Sequence, residues 1–335
     1  NAKQLADFCV EIGEKPFRAK QLLGWIYQFG EVEFAKMSDL SKGLREKLSD
    51  TAEIVSPRII NHHVAMDGTR KWLLSVGAEN GIESVYIPEQ NRGTLCVSSQ
   101  VGCTLACAFC ATGTLKRERN LDAGEIYDQV VEINKLAQEN YQKPLSNIVY
   151  MGMGEPLLNY KNTLESVKKI TSDEGLGMAS RRITVSTAGI AKMIMKLGDD
   201  GVKFNLALSL HATNDEARDK IMEINKQNSL ESLAEALIYY YEKTNNRVTF
   251  EYCLLNGVND SLKEAQELVE FCQHVPSKVN LIEYNPIEED GFEKSDARST
   301  ERFANYLERN GVPANVRRSR GKDIDAACGQ LANKN

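Results

Sequence analysis

Three cysteines with short, regular spacing are the residues of this sequence best suited to hold a metal cofactor. Cys103, Cys107 and Cys110 lie four and three positions apart, directly after the apolar run 94–99. Closed structural zinc sites normally use four ligands, whereas iron–sulfur clusters are held by cysteine thiolates. Three thiols without a nearby fourth predict a 4Fe–4S cluster with one iron open to a ligand. The alternatives are a zinc site completed by a distant Cys or His, or cysteines that pack as small hydrophobic residues.

A glycine-rich segment, Gly152 to Pro156, ends the apolar run 147–153. Glycines permit close approach to the backbone. Taken by itself, the segment is only a turn between a strand and a helix.

These residues follow strands of a repeating pattern of strands and helices. Near-continuous apolar strands separated by amphipathic helices predict a parallel sheet covered by helices. Six such strands predict an α/β fold, a partial (β/α)6 barrel, in which chemistry gathers at the carboxyl ends of the strands. The predicted strands are 94–99, 147–153, 181–186, 204–210, 248–255 and 278–284. The clearest helix runs from Asp122 to Glu139 and begins with an Asp-x-x-Glu capping pattern.

The chain outside the barrel divides into three further parts. Apolar spacing of three and four residues predicts a small helical domain over 1–55. Two β-type runs, 71–76 and 82–87, flank Asn80-Gly81 and predict a β-hairpin in a linker over 56–93. We therefore expect the barrel over 94–290, followed over 291–335 by a helix, a strand and a tail that carries Cys328.

Composition and charge limit the class of protein. The 335 residues contain 41 Lys and Arg against 47 Asp and Glu, a net charge of −6, which argues mildly against a nucleic acid partner. Basic clusters at 116–119, 181–182 and 317–322 argue the other way, although each alone is most simply a solvated face. Without a long apolar run or a secretory signal, we expect a cytoplasmic protein with no membrane segment. In a reducing cytoplasm, cysteines more often serve metal binding or catalysis than disulfides.

The cysteine spacing resembles that of the radical S-adenosylmethionine (SAM) superfamily over about residues 94–290. The resemblance implies a 4Fe–4S cluster whose open iron binds the amino and carboxylate groups of SAM. It implies that one electron then cleaves SAM to a 5′-deoxyadenosyl radical. It also implies that the segment Gly152 to Pro156 contacts SAM.

Further motifs resemble the RlmN/Cfr family of RNA methyltransferases over nearly the full length of the chain. The matching segments are FRAKQLLGWIY, ESVYIPE, CVSSQVGCTLACAFCATG, RERNLDAGEI, YMGMGEPLLN, RRITVSTAGI, ALSLHATND, EYNPI and RSRGKDIDAACGQL. This resemblance implies methylation of carbon 2 of adenosine in 23S ribosomal RNA and next to the anticodon in transfer RNA. The partners implied are RNA and an electron donor such as flavodoxin, and we expect a monomer.

The same resemblance implies roles for three residues outside the cluster. Cys328 receives a methyl group from a first SAM, and the radical from a second SAM takes hydrogen from that S-methyl group. The methylene group then adds to the adenine, Glu83 accepts the carbon-2 proton, and Cys96 forms a transient disulfide with Cys328. Carbon 2 of adenine is electron-poor and cannot attack a SAM methyl group, which is why a radical route is required. The implied SAM contacts are Gly154, Glu155, Ser186, Ser209, Leu210, His211 and Asn285.

Several of these residues have a simpler explanation when they are considered alone. Cys96 lies in an apolar strand and is most simply a buried small residue, and Cys328 lies in a tail of small residues. Glu83 is either an exposed strand residue or a partly desolvated base. His211 is either a ligand or a hydrogen-bonded core histidine. The cluster 317–322 precedes Cys328, so we expect it to bind phosphates beside the target base.

Three other functions remain open from the sequence. A Cfr-type enzyme would methylate carbon 8 of the same adenosine and would share the cluster and both extra cysteines. A non-catalytic iron–sulfur or zinc module would have no use for Cys96 or Cys328. A radical SAM enzyme acting on a protein or a small molecule would leave RNA unmethylated. The cysteines Cys9, Cys253 and Cys272 are assigned no chemistry.

Overall fold

The amino-terminal segment forms a small helical unit with its own hydrophobic core. The computed structural model describes residues 2–55, 57–77, 80–287 and 291–333. The unit contains α1 (Ala2–Glu11), α2 (Arg18–Leu23), a π-helix (Gly24–Gln28), a 3-10 turn (Phe34–Lys36) and α3 (Lys42–Thr51). Leu22, Met37 and Leu48 are buried in this core. The Ser41 hydroxyl caps α3 by accepting a hydrogen bond from the Leu44 amide, as expected for a helix amino terminus.

A single ten-stranded sheet forms the rest of the framework. Its spatial order is β1-β2-β3-β4-β7-β8-β9-β10-β11-β12. Strands β1 to β4 are antiparallel neighbours, and from β4 to β12 all pairings are parallel. The strands are β1 (Ile59–Val64), β2 (Arg70–Ser75), β3 (Gly81–Glu89), β4 (Arg92–Cys96), β7 (Asn147–Tyr150), β8 (Ile183–Thr187), β9 (Asn205–Ser209), β10 (Val248–Leu254), β11 (Ser277–Glu283) and β12 (Ala314–Arg317). Strands β5 (Gln100–Val101) and β6 (Arg119–Asn120) pair separately.

Helices cover the parallel part of the sheet, and their buried faces form the main core with the strands. The longest, α5 (Ala123–Tyr141), begins with a complete capping box of Asp122 and Glu125. The others are α4 (Ala111–Thr114), α6 (Tyr160–Thr171), α7 (Ala191–Asp199), α8 (Asp215–Ile221), α9 (Leu230–Thr244), α10 (Leu262–Cys272) and α11 (Ala297–Arg309), with 3-10 turns at Pro156–Asn159, Ser180–Arg182, Glu223–Gln227 and Lys322–Ile324. Within the described ranges, no helix is both long and apolar enough to span a bilayer.

The predicted fold class is confirmed, with two additions. Each of the six predicted strands overlaps an observed strand, and their mutual pairing is parallel. The predicted hairpin over 71–87 is present as β2 and β3, but β1 and β4 extend it into a four-stranded antiparallel section of the same sheet. At the other edge, β12 adds a seventh parallel strand beside β11. The predicted barrel boundary at 290 lies outside the described residues.

Register across the sheet decides which side chains share the inner face. Residues directly opposite each other in neighbouring strands point to the same face. Cys96 is opposite Val85 on one side and Val149 on the other. On the far side of the sheet, Glu251 is opposite Ser209, and Arg317 is opposite Ile282 on β11. The inner face of the barrel therefore carries polar and charged groups next to the ends of the strands.

Candidate active site

The three predicted cluster cysteines lie on the loop that follows β4 and face one cavity of about 170 Å³. We call this the cluster cavity. The loop turns sharply at Gly102, whose φ is +74°, and a Cβ there would lie 2.4 Å from the Lys116 carbonyl oxygen. Only glycine fits such a position without displacing the backbone. The loop geometry thus fixes Cys103, Cys107 and Cys110 at the rim of one cavity.

The chemistry of the three thiols fits a cluster. Burial raises the pKa of Cys103 to about 11 and raises that of Cys107, and negative charge on neighbouring Cys110 raises both further. Three thiolates therefore need a strongly cationic group between them. Among the described residues, no set of three or more His, Cys, Asp or Glu side chains is arranged around a point for a single ion. In a 4Fe–4S cluster, each of the three thiolates would bind a different iron.

The glycine-rich segment after β7 forms one wall of the cluster cavity. Gly154 has a φ of +91°, and a Cβ there would lie 2.4 Å from the Gln100 Cβ. Glu155 is buried, and its two carboxylate oxygens accept from the amides of Leu157 (2.9 Å) and Ala188 (2.7 Å). Burial raises the pKa of Glu155, although these hydrogen bonds oppose the shift. The carboxylate thus also fixes the loops after β7 and β8, beyond its predicted part in SAM binding.

Most of the predicted SAM-contacting residues line the cluster cavity. The lining includes Gly154, Glu155, Ser186, Ser209, His211 and Asn285. The hydroxyl oxygens of Ser186 and Ser209 lie 3.5 Å apart at the ends of β8 and β9. Leu210 is fully buried and is not part of this lining. A contact between SAM and Leu210 would therefore involve its backbone or a different arrangement of this loop.

His211 is held in one tautomer at the end of β9. Its Nδ1 accepts from the Cys253 amide at 2.9 Å, so the neutral ring carries its hydrogen on Nε2. Burial, together with nearby Arg218, lowers the pKa of His211 to about 3. The ring is therefore neutral at physiological pH and packs edge-on against Phe109, with ring centres 4.7 Å apart. Cys253, to which no chemistry was assigned, supports His211 and also lines the cluster cavity.

Sequence reasoning missed two buried charged residues at this site. The guanidinium of Arg218 is fully buried and donates to the carbonyl oxygens of Ala188 (2.6 Å), Ser209 (3.1 Å) and Leu210 (3.0 Å). It thus ties together the loops that follow β8 and β9. Glu251 lies inside β10 and lines the cluster cavity. An acidic residue within the apolar run 248–255 was a visible signal, whereas Arg218 lies in an ordinary charged helix and gave none.

A second cavity of about 510 Å³ adjoins the cluster cavity, and Cys328 lines both. We call it the second cavity. Cys96 on β4 lines it as well, together with Arg92 and residues 315–320. Burial raises the pKa of Cys96 to about 12. Burial also raises the pKa of Cys328, while the positive charge of Arg317 opposes that shift. The two extra cysteines predicted to react with each other thus face the same space.

Glu83 lies apart from these two cavities. Its side chain is fully buried and belongs to neither cavity lining in the described part of the chain. One carboxylate oxygen lies 2.9 Å from Nζ of Lys71. The other oxygen accepts from the backbone amides of Ala332 (2.8 Å) and Asn333 (3.2 Å) in the tail. Of the two interpretations weighed for Glu83, the exposed strand residue is wrong, because the tail covers it.

Only part of the basic cluster 317–322 is available to an external anion. Arg317 points inward, 3.6 Å from the Glu251 carboxylate. Arg320 pairs with Asp67 (3.7 Å), and Lys322 pairs with Glu283 (2.8 Å). Arg318 makes no ion pair with any residue that the structure describes. The expectation that the cluster binds phosphates stays a prediction, and three of its basic side chains also pair with carboxylates of this chain.

Comparisons with known proteins agree with this arrangement of fold and cavities. A family model described as "Ribosomal RNA large subunit methyltransferase N-terminal domain" matches residues 1–54, and the radical SAM superfamily model matches residues 97–272. A radical SAM methyltransferase from Sphaerobacter thermophilus superposes with a TM-score of 0.95 at 38% identity, covering 100% of this chain and 98% of that one. By fold and by cysteine loop, the chain is a radical SAM protein, a class that uses SAM and a 4Fe–4S cluster.

Full-length relatives narrow the class to one family. A probable dual-specificity RNA methyltransferase RlmN from Cytophaga hutchinsonii is 52% identical, with 100% of this chain and 92% of the relative covered. The corresponding protein of Christiangramia forsetii is 51% identical, with 99% and 94% covered. The chain belongs to the RlmN family of radical SAM methyltransferases.

Proposed function

We propose that this chain methylates carbon 2 of adenosine in 23S ribosomal RNA and in transfer RNA, through a methylated cysteine and a covalent enzyme–RNA adduct. The observation that carries the proposal is the position of Cys328, which lines both the cluster cavity and the second cavity. A thiol there can meet SAM on one side and a substrate base on the other. The full-length relatives named above as dual-specificity RNA methyltransferases support the substrate class.

The cofactor groups fit the residues that line the cluster cavity. Cys103, Cys107 and Cys110 would hold the 4Fe–4S cluster, and Glu155, Ser186, Ser209, His211 and Asn285 would bind and orient SAM. When bound, the cluster supplies the electron that converts SAM to a carbon radical. The neutral Nε2–H of His211 is a hydrogen-bond donor that stays unchanged across physiological pH.

The two extra thiols act in sequence in this proposal. The Cys328 sulfur first accepts a methyl group from SAM, so each turnover consumes two SAM molecules. After that methyl group has lost a hydrogen atom to the SAM-derived radical, its carbon bonds to carbon 2 of the adenine. The adduct then loses one electron, which the oxidised cluster would accept, and Glu83 accepts the carbon-2 proton. The Cys96 sulfur then attacks the Cys328 sulfur, the bond between that sulfur and the methylene carbon breaks, and protonation of that carbon releases methylated RNA.

An external reductant must then restore both thiols, since the reaction leaves Cys96 and Cys328 joined as a disulfide. A reducing cytoplasm and an electron donor of the flavodoxin type suit this requirement. We propose that the protein works as a monomer.

The second cavity is the proposed site of the target base. The base must leave its stack to reach a thiol inside the barrel. Arg318 and Arg92 lie on the lining of this cavity and can bind flanking phosphates, for which Arg92 would exchange its ion pair with Glu89. The helical unit, within the proposed accessory domain 1–55, would provide a second RNA contact. Its position is fixed by hydrogen bonds from Gln28 to the Asp173 carbonyl (2.9 Å) and from the Tyr127 hydroxyl to the Tyr27 carbonyl (3.0 Å).

Methylation of unmodified RNA tests the proposed function directly. Anaerobically reconstituted protein, SAM and a reductant are incubated with unmethylated 23S ribosomal RNA fragments and transfer RNA, and the nucleosides are analysed by mass spectrometry. We expect 2-methyladenosine from both RNAs, and none from Cys328→Ala. The control Cys272→Ala changes a buried cysteine outside both cavity linings and should retain activity. A product of 8-methyladenosine would replace the proposed regiochemistry, and unmethylated RNA with active wild-type cluster would contradict the substrate class.

A further inference from the structure

A buried ion pair lies beneath the tail that carries Cys328. Lys71 on β2 and Glu83 on β3 lie on the same face of the sheet, because Lys71 is opposite Val85 and Glu83 is opposite Leu73. Lys71 is 4% exposed and Glu83 is 0% exposed. Desolvation of two charges is costly, and an apolar pair of similar volume often stabilises a fold as well or better. Stability of the sheet alone therefore gives no reason for these two charges.

Both members of the pair make hydrogen bonds to the tail. Nζ of Lys71 donates to the Asp325 carbonyl at 3.3 Å. The Glu83 oxygen that faces away from Lys71 accepts from the amides of Ala332 and Asn333. The pair thus holds the tail at one point before Cys328 and at two points after it. Between these points, the Asn285 side chain donates to the Cys328 carbonyl at 3.2 Å.

We propose that Lys71 is a positioning residue for the reaction. It orients the Glu83 carboxylate and holds the tail that carries Cys328 against the sheet. The inference rests on the proposed function, in which Glu83 accepts a proton and Cys328 moves between two partners. With the tail closed, one Glu83 oxygen pairs with the Lys71 charge, the other accepts from the tail amides, and Cys328 lies between the two cavities. When residues 332 and 333 withdraw, one oxygen becomes free to accept a proton. Lys71 keeps the carboxylate oriented while that exchange takes place.

Hydrogen exchange of the Ala332 and Asn333 amides, which donate to Glu83, tests this role without any cofactor. Apo protein is transferred to deuterated buffer, and these two amides are followed by NMR. Lys71→Met keeps a long apolar chain but removes the charge, and Lys71→Arg keeps the charge. We expect about fivefold faster exchange for Lys71→Met, because the tail opens locally more often. Lys71→Arg should stay near wild type, as should Lys196→Met, which removes an exposed ion pair with Asp200 far from the tail.

Turnover of the reconstituted enzyme supplies the second readout. For Lys71→Met we expect about tenfold less methylated RNA, with protein–RNA adduct accumulating on denaturing gels, because a misplaced base slows release more than adduct formation. Lys71→Arg should restore most of the product. A purely structural role would instead lower product and adduct together, in proportion to the loss of folded protein.

Lys71→Met leaves the buried Glu83 carboxylate without its partner charge, which lowers the stability of the folded protein. A double variant separates this effect from the loss of positioning. Lys71→Met combined with Glu83→Gln removes both charges of the pair, and it should also show faster exchange of the Ala332 and Asn333 amides. Wild-type exchange rates in both variants would overturn the proposal, as would wild-type turnover of Lys71→Met. If wild-type enzyme methylates no RNA, the proposed function fails, yet the exchange rates still decide whether Lys71 holds the tail.

Discussion

The cluster cavity and the second cavity share a wall at Cys328, but they are built from different parts of the chain. The cluster cavity is formed by loops at the carboxyl ends of the parallel strands, which buried groups such as Arg218 tie together. The second cavity is closed by β12 and the tail after it. That tail is held by hydrogen bonds and ion pairs to β2, β3 and β11. Changes in the first cavity should therefore abolish chemistry outright, whereas changes in the second should give graded effects.

The largest expected effect is the loss of a cluster ligand. Cys110→Ala leaves two thiols, which cannot hold a four-iron cluster with a single open iron. We expect no 5′-deoxyadenosine from SAM and reductant, and strongly reduced iron content after reconstitution, both measured against wild type. Cys9→Ala, a buried cysteine in the helical unit, is the matched control and should retain both. Full activity of Cys110→Ala would contradict the proposed cluster.

A smaller effect is expected from Arg317, the cation that faces both extra thiols. Burial raises the pKa of Cys96 to about 12, and the Arg317 charge holds it below the value that burial alone would give. Arg317→Met should raise this pKa further, so less thiolate is present at any given pH. We expect disulfide formation between Cys96 and Cys328 under a mild oxidant to slow roughly tenfold at pH 8, with its pH profile displaced upward.

The neighbouring arginine provides the control for that measurement. Arg318→Met removes a charge that has no ion-pair partner among the described residues, and it should leave the rate of disulfide formation unchanged. An equal slowing in both variants would mean that the total positive charge near the cavity, and not the position of Arg317, controls the reactivity of the two thiols.

The smallest expected effect concerns the anchoring of the tail by Glu283. Burial alone would raise the pKa of Glu283, but hydrogen bonds from Lys322 and Lys294 and from the Ser319 amide lower it to about 2. Because the folded pKa is lowered, the stabilisation is complete near neutral pH and is lost as pH falls toward 2. Glu283→Gln should lower the free energy of unfolding by about 1 kcal/mol at pH 7, after allowance for solvent screening.

Urea denaturation at several pH values measures this difference. The gap between wild type and Glu283→Gln should narrow between pH 5 and pH 3. A gap that stays constant over this range would show that charge on Glu283 does not anchor the tail.

The sequence predicts the barrel and the cluster cavity well because their signals are local. An apolar run such as 204–210 indicates a buried strand. Cys103, Cys107 and Cys110 lie close together in the sequence, within a single loop. Glycine at 154 is visible as a motif, and the structure supplies the reason, a close approach to Gln100.

The second cavity could not be predicted in the same way, because its contacts join distant segments. Nothing near Lys71 in the chain indicates that its partners are Glu83 and the carbonyl of Asp325. Arg317 belongs to a basic run that suggests a solvated surface, yet strand alternation turns it toward Glu251, which the sequence placed in an ordinary strand. Cys96 looks like a buried small residue, and it is one, but its function depends on what lies across the cavity.

The continuity of the ten-stranded sheet has a mechanical consequence. Glu83 and Cys96 lie on β3 and β4, which are adjacent and joined by backbone hydrogen bonds, with Cys96 opposite Val85. The distance between these two groups is therefore set by the hydrogen-bonded sheet, so in the proposed cycle it is the tail that must move. A single covalent crosslink from the tail to the sheet should then arrest the proposed cycle while leaving both cavities intact.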